Sequence, residues 1–425
     1  MSSGMKRLCQ HRVIRNAGAM GVVQLVNYGS TFLVLIRLTR VLGLTTYGVV
    51  AFSVGIVQVL SIVLDLGFTL SATQHISVHR DDKAFVARYT GAVLVVKLVV
   101  FLIGACFVAL FAATTDKYAA YSLLFILSLL PLLGQALQPV WFFSGIERMR
   151  FVTIFMIVAK LSFVVLVWLF VRVEGDYLWV PVADGIAQLS AATTALYLIY
   201  RVGYRISRPA LSDITVALHQ TSGFFVSRLS AAAYSYSGVV LLGLVSTPSK
   251  VAVYALAEQL YRGMHALFSP VVQALYPYMA REHDFVLLRR VALTCIGIAL
   301  FGGILGHFLA PVVIPKVLGA KWNASLSVLD VFLVAITVHV AAMMSGYPLA
   351  AALDRLDVAN RSVVFGALIY IALAGLSVVF HGASPVRFAW LLVISEAYVL
   401  LHCATQMWPA AHRRAHVRLV ERQVA

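Results

Sequence analysis

Tyr254, Glu258, Arg262 and His265 follow one another at i, i+4, i+8 and i+11 within a long, otherwise apolar segment. Residues so spaced share one face of a helix. Glu258 and Arg262 also stand in the favourable order for an i,i+4 ion pair. Such a stripe can bind an anion through Arg262 and exchange a proton through Glu258; the plainer alternative is a neutralised structural pair. The preceding apolar segment puts Gln220, Phe224, Ser227, Arg228, Ala231 and Ser235 on one face. Arg228 sits too deep in it to snorkel, and it can pair with Glu258 or hold a phosphate bidentately. Lys160 is equally deep in its own segment, whereas Lys97 is close enough to a segment end for snorkelling to be an alternative. Glu396 is a lone mid-segment carboxylate, open to proton exchange or simply packed in its protonated form.

Other faces are polar but uncharged for the most part. Gln24, Asn27, Tyr28 and Thr31 share one; Gln58, Ser61 and Asp65 share another; Asp184 and Gln188 lead into small residues at Ala191 and Ala195. Each can contact a ligand, and each can equally glue helices together through hydrogen bonds and close packing. No catalytic residue is expected: the chain has no HExxH, GxSxG, P-loop or GxGxxG with a cytoplasmic domain behind it. Cys9, Cys106, Cys295 and Cys403 are scattered without CxxC spacing and read as small apolar residues, so neither a metal nor a cofactor is implied. Asn323-Ala-Ser325 fits a glycosylation sequon, a pattern common by chance.

The elements that carry these residues follow from composition. Of 425 residues, 61% are hydrophobic and 12% charged, against about 25% charged in soluble domains. That much apolar surface has no place in a water-soluble fold. It comes in blocks such as 48–64, 151–171 and 362–380, long enough as helix to cross a bilayer core of about 30 Å. The period-two alternation of a β-barrel is missing. The spacing predicts an all-α polytopic membrane protein with about twelve spans: 16–37, 48–68, 89–113, 119–143, 151–171, 178–200, 214–245, 252–280, 289–314, 326–353, 361–380 and 386–408. The basic start (Lys6, Arg7, Arg12, Arg15) leads into a full-length span and not a cleaved signal peptide.

Most of the 33 Lys and Arg residues lie in the N-terminus, the C-terminus and the loops after even-numbered spans. By the positive-inside rule both termini are cytoplasmic, so the net charge of +16 reports topology and not nucleic acid. Lys97, Lys160, Arg228 and Arg262 remain inside spans, where an ionisable group costs about 2.5–3.5 kcal/mol and faces a partner or a water-filled cavity. A faint repeat links Tyr47-Gly48-Val49-Val50-Ala51 at span 2 with Tyr254-Ala255-Leu256-Ala257 at span 8. It suggests two six-helix lobes around a central cavity lined by spans 1, 2, 7 and 8. The expected division is a cytoplasmic tail 1–15, an N-lobe 16–208, a C-lobe 209–408 and a cytoplasmic tail 409–425.

Four stretches carry a family resemblance: Arg37-Leu38-Thr39-Arg40-Val41-Leu42-Gly43 with Tyr47-Gly48; Asp65-Leu66-Gly67-Phe68 with Ser71-Ala72-Thr73; Pro139-Val140-Trp141-Phe142-Phe143-Ser144-Gly145; and Tyr254-Ala255 with Ala257-Glu258-Gln259-Leu260, running on to Pro270 and Pro277. In order and position they resemble the polysaccharide transporters, the Wzx-type O-antigen and exopolysaccharide repeat-unit flippases, of the multidrug/oligosaccharidyl-lipid/polysaccharide exporter superfamily. The likeness covers most of residues 15 to 280. It implies a bacterial inner-membrane flippase, not an enzyme, that moves an undecaprenyl-pyrophosphate-linked oligosaccharide to the periplasmic leaflet for O-antigen, capsule or exopolysaccharide synthesis. On that reading Arg228, Arg262, Lys160 and Lys97 face the pyrophosphate. Gln24, Asn27, Tyr28 and Tyr234, with Tyr236 and Tyr261, face the sugars, and the lipid tail stays in the bilayer. Glu258, Asp65 and Glu396 are the candidates for ion coupling. Contacts with a polysaccharide polymerase and a chain-length regulator are implied by resemblance alone. Three alternatives stay open. A drug exporter of the same superfamily predicts a carboxylate-rich cavity. A lipid II flippase typically has two more spans. A non-transporting membrane protein of polysaccharide assembly is the third.

Overall fold

The computed structural model describes the backbone of residues 29–424, and their side chains except 222–236, 381 and 411–424. Every described regular element is a helix: a helix over 29–41 (α1), α2 (Leu44–Asp65), α3 (Phe68–Val78), α4 (Lys83–Thr114), α5 (Ser122–Leu127), α6 (Leu129–Leu137), α7 (Val140–Gly145), α8 (Met149–Phe170), α9 (Trp179–Arg201), α10 (Leu211–Val245), α11 (Pro248–Glu282), α12 (Phe285–Val317), α13 (Leu326–Ser345), α14 (Tyr347–Leu353), α15 (Leu356–His381) and α16 (Pro385–Val424). In lipid every backbone N–H and C=O must be bonded within the protein, which helices achieve segment by segment.

Nine stretches among the described residues are long and apolar enough to cross a bilayer, and they coincide with spans 2 to 6 and 9 to 12 of the sequence reading. The chain is a multi-pass membrane protein. Span 1 begins outside the described residues. The segments read as spans 7 and 8 fall on the 35-residue helices α10 and α11; α11 is kept off the apolar set by its polar and ionisable stripe. α16 runs past Pro409 to Val424.

Several spans are broken, and the sequence explains where. Pro131 has no N–H to offer the carbonyl of Leu127, and the helix divides there into α5 and α6. Gln138, just before Pro139, takes an extended conformation (φ −78°, ψ 115°) that ends α6. Leu66 (φ 47°) and Gly67 (φ 93°) are both left-handed and separate α2 from α3; only glycine takes the second angle without strain. Pro270 and Pro277 lie inside a continuous α11.

Residues 30–243 and 244–425 form two compact units. In the first, α3 packs on α7, and α9 on both α6 and α8. Its core joins Phe68, Ala72 and Ile76 to Trp141, Phe142, Phe143 and Phe155. Two of the family-like stretches therefore act on each other: the Thr73 hydroxyl donates to the Trp141 carbonyl (3.2 Å), and Gly145 leaves room for Ile76. In a second aromatic group, Phe52, Phe111, Tyr118 and Phe125, the Phe52 ring lies against Gly243, whose carbonyl accepts from the Tyr118 hydroxyl (2.6 Å). On the expected exterior side, Glu174 accepts from the Gly43 amide (3.0 Å) and the Thr46 hydroxyl (2.7 Å), so a loop carboxylate caps α2. Arg37 donates to the Val171 carbonyl (2.9 Å) and lies over the Trp168 ring. In the second unit α13 packs against α11, α12 and α16.

Candidate functional site

The second unit holds a polar cluster buried among apolar helices. The turns of α11 from Val251 to Ala257 are buried throughout, so the next positions of its stripe enter a packed interior. There Glu258 and Arg262 form an ion pair of 3.1 Å, their side chains only 10% and 23% exposed. Its one-turn spacing is the one legible in the sequence. One turn earlier the Tyr254 hydroxyl neighbours that of Tyr370 on α15. One turn later the His265 ring meets the His339 ring of α13 edge-on, with centroids 4.6 Å apart. His339 Nδ1 lies 2.5 Å from Glu396 Oε1 of α16, in a pair whose side chains are 17% and 3% exposed. Tyr261 and Phe332 pack between these groups.

The charges do not cancel within this cluster. Arg262 faces Glu258, while Glu396 has a histidine, which is cationic only when protonated, as its described partner. An unpaired buried carboxylate is costly. Glu396 is therefore held by a hydrogen bond to His339 and not by a fixed cation among the described residues.

The first unit sets its ionisable residues beside one another in couples. Lys97, 5% exposed, donates to the Gln135 carbonyl (3.4 Å) and lies within electrostatic reach of Asp65. Asp65 also accepts from the Thr69 hydroxyl (2.7 Å) and amide (3.4 Å), and so holds the first turn of α3 across the Leu66-Gly67 break. Lys160 of α8 lies within reach of Asp184 of α9. Asp184 continues through Gln188 (3.1 Å) to Gln138 (2.7 Å), a chain of amides that joins α9 to the broken span.

Of the residues singled out in the sequence, Glu258, Arg262 and His265 share a cluster with Glu396, and Lys97 neighbours Asp65. Gln24, Asn27 and Tyr28 lie outside the described residues, as do the side chains of Arg228 and Tyr234. His339 and Tyr370 were missed. His339 carried a usable signal, being an imidazole in the middle of an apolar span, where any ionisable group is a candidate for function.

The sequence profile of the family described as "polysaccharide biosynthesis protein" matches residues 13–283. The chain belongs to that family. A candidate O-antigen transporter of Shigella dysenteriae is 27% identical to this family member over 388 residues, covering 90% of this chain and 95% of the relative. Two solved structures share the fold. The lipid II flippase MurJ in an inward closed conformation has a TM-score of 0.73 at 11% identity, over 91% of this chain and 87% of its own. An inward-facing multidrug resistance transporter of the MATE family, in the MOP superfamily, has a TM-score of 0.66 at 14% identity, over 93% and 95%.

Proposed function

We propose that this polysaccharide biosynthesis family member is an inner-membrane flippase for an undecaprenyl-pyrophosphate-linked oligosaccharide, carrying its headgroup from the cytoplasmic to the periplasmic leaflet. The observation that carries the reading is the buried Glu258–Arg262 pair in a multi-pass member of this family. A guanidinium matches a phosphate in planar, bidentate geometry. Glu258 neutralises Arg262 in the absence of anion, and a substrate phosphate competes with it for the same donors. Arg228, Lys160 and Lys97 are the further cationic candidates in this reading. Gln24, Asn27, Tyr28 and Tyr234 contact the sugars, and both termini are cytoplasmic. The lobes 16–208 and 209–408 alternate access to the two leaflets. Ion exchange through Glu258, Asp65 or Glu396 supplies the drive, and a polymerase and chain-length regulator receive the product.

The relatedness to a candidate O-antigen transporter and the fold shared with a lipid II flippase support this reading. A drug exporter of the same superfamily is the second reading, favoured by the MATE-type fold; buried Arg and Lys argue against a site for cations. The experiment is deletion of the gene and complementation with wild type, Arg228→Ala and Arg262→Ala. The readout is the leaflet in which the lipid-linked oligosaccharide resides, together with surface polysaccharide. Deletion is expected to trap the unit on the cytoplasmic side, wild type to release it and well-expressed arginine variants to fail. Normal arrival in the periplasm without the protein would overturn the proposal.

A further inference from the structure

We infer that His339 and Glu396, with His265 beside them, form a proton-binding site that couples transport to a pH gradient. The inference rests on the transport reading above and names its coupling ion. With Nδ1 donating to the Glu396 carboxylate, neutral His339 turns Nε2 outward as an acceptor. That Nε2 atom is buried and has no hydrogen-bond partner among the described residues. Nε2 is thus the ring nitrogen open to a proton, and what favours the proton is the cationic partner it gives Glu396. A proton arriving there forms an N–H bond, converts imidazole to imidazolium and takes the pair from a net charge of −1 to zero. No other bond is made or broken, and the proton leaves by the reverse step.

The surroundings point the same way. From α11 the site faces Tyr261 and His265, with Arg262 and Glu258 further along the same stripe. From α15 Tyr370 lies toward Tyr254 and Glu258. On α12, His307 is occupied with Asp330, an exposed pair elsewhere on α13. No lysine or arginine is paired with Glu396 among the described residues, so a proton is the cation that fits it. A hard metal cation takes a shell of several oxygens, whereas this site offers imidazoles and one carboxylate. His265 stands between His339 and Arg262, which joins the proton site to the residue that would meet the phosphate.

The test uses the full-length protein in liposomes with lipid-linked oligosaccharide extracted from the producing cells, and measures headgroup exposure in the outer leaflet over time. A gradient of one pH unit supplies about 1.4 kcal/mol per proton, or up to about tenfold in rate. Wild type is expected to accelerate under that gradient, to lose the acceleration with a protonophore and to ignore an equivalent sodium gradient. In His339→Gln and in Glu396→Gln the ratio of driven to undriven rate should fall to about one, whatever the undriven rate. Acceleration by sodium instead of protons, or a full driven ratio in both variants, overturns the inference. No headgroup movement by wild type under any condition would sink the flippase reading instead. The site is then judged by infrared difference spectra of the protein in nanodiscs as pH is changed. An imidazole or carboxyl band that titrates in wild type and is lost in Glu396→Gln supports it. The same set of titrating bands in wild type, His339→Gln, Glu396→Gln and the conservative Glu396→Asp overturns it.

Discussion

Glu258 and Arg262 form a largely buried ion pair, their side chains 10% and 23% exposed. Removing one member of a buried pair typically costs about 3–5 kcal/mol, whereas replacing both by apolar side chains of similar volume is often close to neutral. Arg262→Met is therefore expected to lower the thermal unfolding midpoint in detergent markedly. Glu258→Leu/Arg262→Met should recover most of that loss while staying inactive in complementation. A double variant as unstable as the single one would show that the pair itself, and not the charge left bare, supports the fold. Lys97 is a related case. Within reach of Asp65 and bonded to the Gln135 carbonyl, it ties α4 to the broken span and to the end of α2. Lys97→Met, which keeps the stem but removes the charge, should lower stability by about 1–3 kcal/mol, the usual cost of a buried group left unpaired, and thermal unfolding measures it.

Helices pack in the first unit where side chains are smallest. A Cβ on Gly134 would press into Gln188 Cβ and its backbone, and one on Gly185 would meet Leu130 Cβ. Without a hydrophobic drive between helices in lipid, such close approach is what holds α6 on α9. Gly134→Ala should cost about 1–3 kcal/mol by overpacking, read as a lower unfolding midpoint. Gly263→Ala, where a Cβ meets nothing within 4 Å, is the matched control and should change little. The exterior end of α2 is held differently, by the Glu174 carboxylate. Glu174→Ala removes two hydrogen bonds, to the Gly43 amide and the Thr46 hydroxyl. It should cost about 1 kcal/mol, as loss of a helix cap does, and leave the headgroup chemistry of the second unit untouched. A collapse of transport at normal expression would show that this loop has a role beyond capping.

For the whole molecule, charge asymmetry makes a prediction about orientation. The segment between α9 and α10 is basic, with Arg205 and Arg208, whereas the one between α8 and α9 carries Glu174 and Asp176. In a background without native cysteines, Arg205→Cys should react with a membrane-impermeant thiol reagent only after the cytoplasmic face is opened, and Gly175→Cys in intact spheroplasts. The reverse pattern would invert the topology and with it the direction of the proposed transport.

Much of this architecture was legible beforehand because lipid leaves little choice. Runs of about 20 apolar residues have to be helices, whereas the breaks at Leu66-Gly67 and before Pro139 fall within spans read as continuous. The i,i+4 spacing of Glu258 and Arg262 sufficed to make them an ion pair, since both partners ride on one helix. Tertiary structure alone decided the rest. His339 meets Glu396 across 57 positions of chain, and His265 meets His339 across two helices. Nothing periodic in the sequence encodes such encounters, because they depend on which faces of α11, α13 and α16 turn toward one another when the second unit packs. The family-like Trp141-Phe142-Phe143 stretch teaches the same lesson. Only packing shows its residues closed over α3 as core. Local order follows from the chain's own periodicity, while partners distant in sequence follow from which surfaces fit together.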